Sequence, residues 1–231
     1  MYSFNPIKDL SNVLFSPKCV VCGRSLLGEE HDVCVECMGN LPLSGYGSVI
    51  DNPLELQLNG VVPHLRAMSF MMFQKGGASQ RIVHAIKYHG NTRLGVQFGR
   101  LLGEALSASH RFDDVDVICP VPLHFLRKVM RGFNQSYIIS SGITETFNRP
   151  VVSGCIYRTR YTTTQTQQDH ISRLANVKGA FKVLSKRHLE GKHILLIDDV
   201  ITTGATVAAC CEALSSVGNI KISVASLTSV V

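Results

Sequence analysis

Residues 194–206, ILLIDDVITTGAT, set two adjacent carboxylates directly after four apolar residues. A polar loop with one glycine follows, and then an alanine-rich run. Short continuous apolar runs of this kind read as buried strands of a parallel sheet, and open α/β sheets bind ligands at the carboxyl ends of their strands. Asp198 and Asp199 emerge at that end. Thr202, Thr203, Gly204, Ala205 and Thr206 then turn into a helix, where free backbone N–H groups beside hydroxyls make a site for anions. Gly204 allows the backbone to approach a ligand closely. A phosphate loop beside two carboxylates that accept hydrogen bonds from hydroxyls points to a sugar phosphate.

A second chemical cluster lies at residues 19–37, CVVCGRSLLGEEHDVCVEC. Its two C-x-x-C pairs, Cys19/Cys22 and Cys34/Cys37, each suit a tight turn that aims both sulfurs at one point. Two such knuckles make a tetrahedral Zn²⁺ site, and four thiolates leave no open position, so the metal's role is structural. A pair of disulfides is the alternative, which an export signal would favour. The first fifteen residues mix charges and a proline into their apolar residues and do not read as a signal-peptide core, so the expectation is a cytoplasmic protein. His31 reads as a surface residue. Cys119, Cys155, Cys210 and Cys211 lie in apolar surroundings and read as small core residues.

The elements that would position these groups follow from the hydrophobic pattern. Strands are expected at 67–73, 116–121, 150–156, 193–198 and 220–227, and helices at 77–88, 93–108, 134–146 and 205–217. Such alternation predicts an α/β fold, a central parallel sheet flanked by helices. The domain expectation is a zinc-ribbon module at 1–45, a linker at 46–66 and an α/β domain at 67–231. Residues 44–63, rich in Gly, Pro and Asn, are the basis for the linker. The 231 residues suffice for one such core plus a small module. No apolar run approaches the ~20 residues that cross a bilayer, so no membrane insertion is expected. The net charge of +6 suits phosphate-bearing ligands or nucleic acid, while aromatics at 7% without Trp give few stacking platforms.

The thirteen positions 194–206 resemble, without a gap, the phosphoribosyl-pyrophosphate motif of type I phosphoribosyltransferases. Three further stretches extend the likeness: AIKYHG (85–90), CPVPLHFLRKVMRGFNQS (119–136) and RTRYTTTQTQQDHISRLANVKGAF (158–181). With the cysteine knuckles, they make the chain similar to the ComF/GntX family of competence-associated, phosphoribosyltransferase-like proteins, from Cys19 to about Leu227. The resemblance implies a type I phosphoribosyltransferase fold. It implies that Asp198 and Asp199 hold the ribose 2′- and 3′-hydroxyls, and that residues 202–206 cradle the 5′-phosphate. Arg127, Lys128, Arg131 and Lys87 would neutralise the diphosphate, with Mg²⁺ as the partner cation, and Asp198, Asp199 and Arg131 form the catalytic set.

Within the pattern R-x-R-x-T-x-x-Q of that family the matches are Arg158, Arg160, Thr162 and Gln165, and Arg173 and Asn176 match a later R-x-x-N. Gln168 departs from the pattern, where an apolar residue is usual. Residues 158–176 read as a lid over the site. Thr202 stands where hypoxanthine–guanine transferases carry an aspartate base, so a 6-oxopurine acceptor is not expected. The expected function is phosphoribosyl transfer to an undeclared acceptor, in a protein associated with natural competence and DNA uptake. The alternatives are an accessory protein that binds single-stranded DNA, partnering the uptake machinery, and a non-catalytic sensor of phosphoribosyl pyrophosphate.

Overall fold

Apolar residues at 194–197 and 222–227 become the two central strands of a parallel sheet. The computed structural model describes residues 17–63, 66–160 and 179–231. The sheet comprises β1 (Ala67–Met72), β2 (Val117–Pro120), β5 (His193–Ile201) and β6 (Lys221–Ser229), in the order β1-β6-β5-β2, with every pairing parallel. β3 (Ile156–Arg158) and β4 (Phe181–Val183) form a separate antiparallel ribbon. β5 and β6 are buried along almost their whole length, as strands covered on both faces must be.

Parallel neighbours need crossover connections, and helices supply them. These are α3 (Ala78–Tyr88), α4 (Thr92–Ser109), α5 (Phe125–Arg131), α6 (Gln135–Phe147) and α7 (Ala205–Leu214); α1 (Val35–Gly39) and α2 (Pro53–Leu58) precede β1. Helices α4 and α6 cross at Gly99 and Gly142. A side chain at Gly99 would collide with the Ile139 carbonyl, and one at Gly142 with the Val96 carbonyl. This backbone contact fixes how closely α6 lies against α4; its first turn, which meets β5, is set by Asn134, whose side chain accepts from Ser136 N–H.

Three sequence expectations change. Residues 150–156 do not add a strand. Pro150 accepts from Ile118 N–H and Val152 N–H donates back to Ile118, making one parallel bridge at the edge of β2. Gly154, at φ +79°, then turns the chain away, so the apolar β-branched run never extends its pairing. β5 runs past the two acids to Ile201, because Ser226, Thr228 and Ser229 of β6 keep pairing with it. The stretch expected as linker carries a 3₁₀ turn (Tyr46–Ser48) and α2.

α2 forms because Asn52 caps it and Pro53 opens it. The fully buried Asn52 accepts from the N–H groups of Leu54 and Glu55, and its amide donates to the Ala67 carbonyl at 2.8 Å. Glu55 accepts from Ala67 N–H at 2.9 Å and from Arg111 at 2.7 Å, which fastens the helix to β1. Just upstream, Met72 N–H donates to Pro42 and Ser44 N–H to Phe70, so residues 42–44 run antiparallel along the outer edge of β1. That edge is closed by the chain leaving the cysteine module.

Candidate functional site

The C-terminal ends of β2 and β5 open into a cleft of about 200 Å³. Asp198 and Asp199 form its floor. Lys87, in the last turn of α3, reaches in from one side and sets its Nζ 3.0 Å from Asp199 Oδ2. Arg127 and Arg131 of α5 approach from another, and Thr206, at the start of α7, stands on a third. The Asp199 N–H donates to Asp198 Oδ1 at 2.9 Å, and the Ser136 hydroxyl donates to the same oxygen at 3.3 Å. Burial pushes the Asp198 carboxyl up to about 7, and the Asp199 charge adds to the rise; Lys87, the Asp199 N–H and Ser136 oppose it.

The cations are held in place by their neighbours. Arg131 donates to Gln135 at 3.1 Å and lies 5.2 Å from the ring of Tyr88, the residue after Lys87. Arg158 lines the wall opposite, its guanidinium 5.4 Å from the Phe181 ring. Burial lowers the Arg158 pKa, as does Arg127, while Asp198 pulls it back. The site is thus two acids ringed by cations, a charge pattern that fits a polyol carrying phosphates.

The loop after β5 is only partly open to this cleft. Thr206 lines it, whereas Thr203, Gly204 and Ala205 are buried. The cover is α2: Leu58 packs where a Gly204 side chain would go, and Gln57 donates to the Thr202 carbonyl at 2.6 Å. Gly204 also takes φ +73°, so the position needs glycine for its backbone and for Leu58. Lys128 does not face the acids; it lines a second, adjoining cleft. Sequence reading missed Ser136 and Tyr88 as site residues, though both stand inside the stretches 119–136 and 85–90. Residues 162–176 of the expected lid, with Thr162, Gln165, Gln168, Arg173 and Asn176, lie outside the described residues.

At the other end of the chain, the Sγ atoms of Cys19, Cys22, Cys34 and Cys37 lie within 4.8 Å of one another. Cys22 Sγ and Cys34 Sγ are 3.8 Å apart, the edge of a tetrahedron with metal–sulfur bonds of ~2.3 Å. Cys34 N–H points at Cys19 Sγ and Cys37 N–H at Cys34 Sγ, both at 3.4 Å. Burial raises the Cys19 thiol, but the N–H groups of Cys22, Cys34 and Val21 outweigh it and bring it down to about 6. Burial and the other three sulfurs push Cys37 well up. Four crowded thiols of which one gives up its proton readily are a donor set that could hold a metal ion such as zinc. His31 is exposed and outside the cluster, and Cys119, Cys155, Cys210 and Cys211 are buried, as expected.

The family model described as phosphoribosyl transferase domain matches residues 92–229, from the start of α4 to the end of β6. The chain belongs to that family. Its curated relatives include Competence protein F of Haemophilus influenzae, 29% identical over 147 residues, which are 62% of this chain and 64% of that protein. DNA utilization protein YhgH of Salmonella typhi is 29% identical over 199 residues, 85% of this chain and 83% of its own length. The match to Competence protein F thus spans less than two thirds of that protein. These relatives bear out the ComF resemblance. Among solved structures, an adenine phosphoribosyltransferase is 12% identical over 76% of this chain and 88% of its own, with a TM-score of 0.38. The parallel sheet of this phosphoribosyl transferase domain, flanked by helices, agrees with the expected fold class. Among the described residues, no helix is long and apolar enough to cross a membrane.

Proposed function

We propose that the chain binds phosphoribosyl pyrophosphate with Mg²⁺ in the acid-floored cleft and transfers its phosphoribosyl group. The observation that carries this reading is the pair Asp198/Asp199 on one strand, faced by Lys87, Arg127 and Arg131. The carboxylates accept hydrogen bonds from the ribose 2′- and 3′-hydroxyls, and Thr206 with the loop before it takes the 5′-phosphate. The carboxylate oxygens are the hard donors that Mg²⁺ prefers, and the cation, when bound, supplies charge neutralisation for the diphosphate. Arg127 and Arg131 hold the leaving diphosphate, and Lys87, now paired with Asp199, is within reach of the same anion. The four cysteines hold one structural Zn²⁺, in keeping with a reducing cytoplasm.

Calorimetric titration with the sugar diphosphate and Mg²⁺ tests the site. Asp199→Asn should weaken binding roughly ten- to a hundred-fold, the worth of a charge-assisted hydrogen bond. Wild-type protein that gives no heat would defeat the assignment. Binding without release of pyrophosphate, whatever nitrogenous acceptor is added, would make the protein a sensor and not a transferase.

A second reading rests on the names of the relatives, which speak of competence and DNA utilization. On this reading the chain handles single-stranded DNA during uptake, through its basic surface. Affinity should then fall steeply as salt rises and vary little with base sequence. Absence of binding at low salt would remove it.

A further inference from the structure

A second cleft of about 620 Å³ adjoins the first, and Pro122, Leu123, Asn134 and Arg158 border both. The two differ sharply in character. The first is floored by carboxylates; the second has none among the described residues. Its walls carry four aromatic rings, Phe125, Phe133, Tyr137 and Tyr157, and among the described residues its charges are the cations Lys128 and Arg158. Phe125 is 71% exposed, Tyr137 45% and Tyr157 40%, so these rings do not serve the core. Their cost in exposed apolar surface calls for an occupant.

We propose that this second cleft is the acceptor pocket, and that it takes a planar aromatic ring bearing a carboxylate and a nucleophilic nitrogen. The proposal rests on the phosphoribosyl-transfer reading above and names its missing substrate class. Four rings offer stacking and edge contacts to a flat ring and little to a saturated one. Lys128 and Arg158 select an anion, while the lack of an opposing carboxylate among the described residues leaves nothing there to repel one. The volume lies within the range of small-molecule sites. The shared border places a ring in this cleft beside a sugar whose hydroxyls rest on Asp198 and Asp199. In the transfer step, the acceptor nitrogen forms its bond to C1 as the bond from C1 to the diphosphate oxygen breaks. The electron pair leaves on the diphosphate, and the proton lost by the nitrogen goes to solvent.

Three probes separate the elements of this recognition by saturation-transfer NMR titration of the full chain. 2-Aminobenzoate is aromatic and anionic, benzamide is aromatic and neutral, and cyclohexanecarboxylate is anionic and saturated. The expected order places 2-aminobenzoate about ten-fold tighter than either of the others. Lys128→Ala and Tyr137→Ala should each weaken it about five- to ten-fold, and Tyr137→Ala should leave the heat of sugar-diphosphate binding unchanged. Asp199→Asn should do the reverse. Equal binding of all three probes, no saturable binding of any, or an aminobenzoate affinity indifferent to both variants would overturn the proposal. Wild type that binds aminobenzoate in the expected order but gives no heat with the sugar diphosphate would sink the transferase reading and still support the ligand class of this pocket.

Discussion

Asp198 is where the chemistry and the stability of the chain conflict. Its carboxyl, raised by burial and by Asp199 to about 7, keeps a proton in the folded chain that the unfolded chain releases near pH 4. Between those values the folded state binds more protons, so this group's contribution to stability falls as pH rises from about 4 to about 7 and stays low above that. Asp198→Asn removes the conflict. Denaturant unfolding of the variant should match wild type near pH 4 and exceed it at pH 8, where the folded wild type has lost the proton. Equal gains at both pH values would show that packing, not ionisation, is responsible. The ligand favours the charged form, because a carboxylate accepts from a hydroxyl in a stronger, charge-assisted hydrogen bond, while the neutral acid turns one oxygen into a donor. Binding of the sugar diphosphate should therefore tighten as pH rises through about 7, beyond the ligand's own titration, and this excess should vanish in Asp198→Asn.

At the scale of elements, the cover over the loop after β5 explains what composition concealed. Residues 44–63 read as linker because Gly, Pro and Asn recur in them, yet Asn52 and Pro53 are the cap and first residue of α2. α2 presents Gln57 and Leu58 to the loop at 202–204. Leu58→Ala should destabilise the fold by ~2–5 kcal/mol, the range for emptying a buried leucine site, and a thermal melt reads it. Gly204→Ala should also destabilise, from the positive φ and the collision with Leu58 together, and Leu58→Ala in the same chain should recover part of that loss. Full additivity of the two would show that they do not touch. β5 was legible because its buried first half writes itself as an unbroken apolar run, and β6 because Ile222, Val224, Ala225 and Leu227 crowd one short stretch despite the buried Ser223 and Ser226. α5 was not read, although Phe125, Leu126, Val129 and Met130 fall at helical spacing on one face; that stripe is short and exposed, and none of the helix's residues is buried. The run at 150–156 misled in the opposite direction, as one glycine outweighed its β-branched residues. The two acids, the cations and the four cysteines were legible because their chemistry depends on residue type and local spacing. The burial of Thr203–Ala205 and the turning of Lys128 into the second cleft depend on elements distant in sequence.

Across the whole molecule, the cysteine module is fastened to the helices that carry the site. Arg81 of α3 donates to the Val21 carbonyl between two of the cysteines, and Lys87 lies six residues further along the same helix. Asp32 accepts from Asn91 at 2.6 Å, the cap of α4, and from Arg93 at 2.9 Å. Within the module, Glu30 receives both arms of Arg24 and the N–H groups of Leu27 and Val35. Few apolar side chains sit inside so short a segment, so a bound metal would supply much of its folding free energy. Removing metal with a chelator under reducing conditions should therefore open residues 17–45 to rapid amide hydrogen exchange. Protection of β5 and β6, whose hydrogen bonds lie in the sheet centre, should persist. Binding of the sugar diphosphate should weaken only a few-fold, because α3 loses an anchor for Arg81 but keeps Ile82, Val83 and Ile86 in the core. Asp32→Ala, with metal retained, should loosen α3 and α4 at that end without exposing the cysteines. If the chelator changes neither exchange nor binding, the four cysteines hold no metal; if β5 loses protection as fast as the module, the two fold as one unit and the metal supports the site directly.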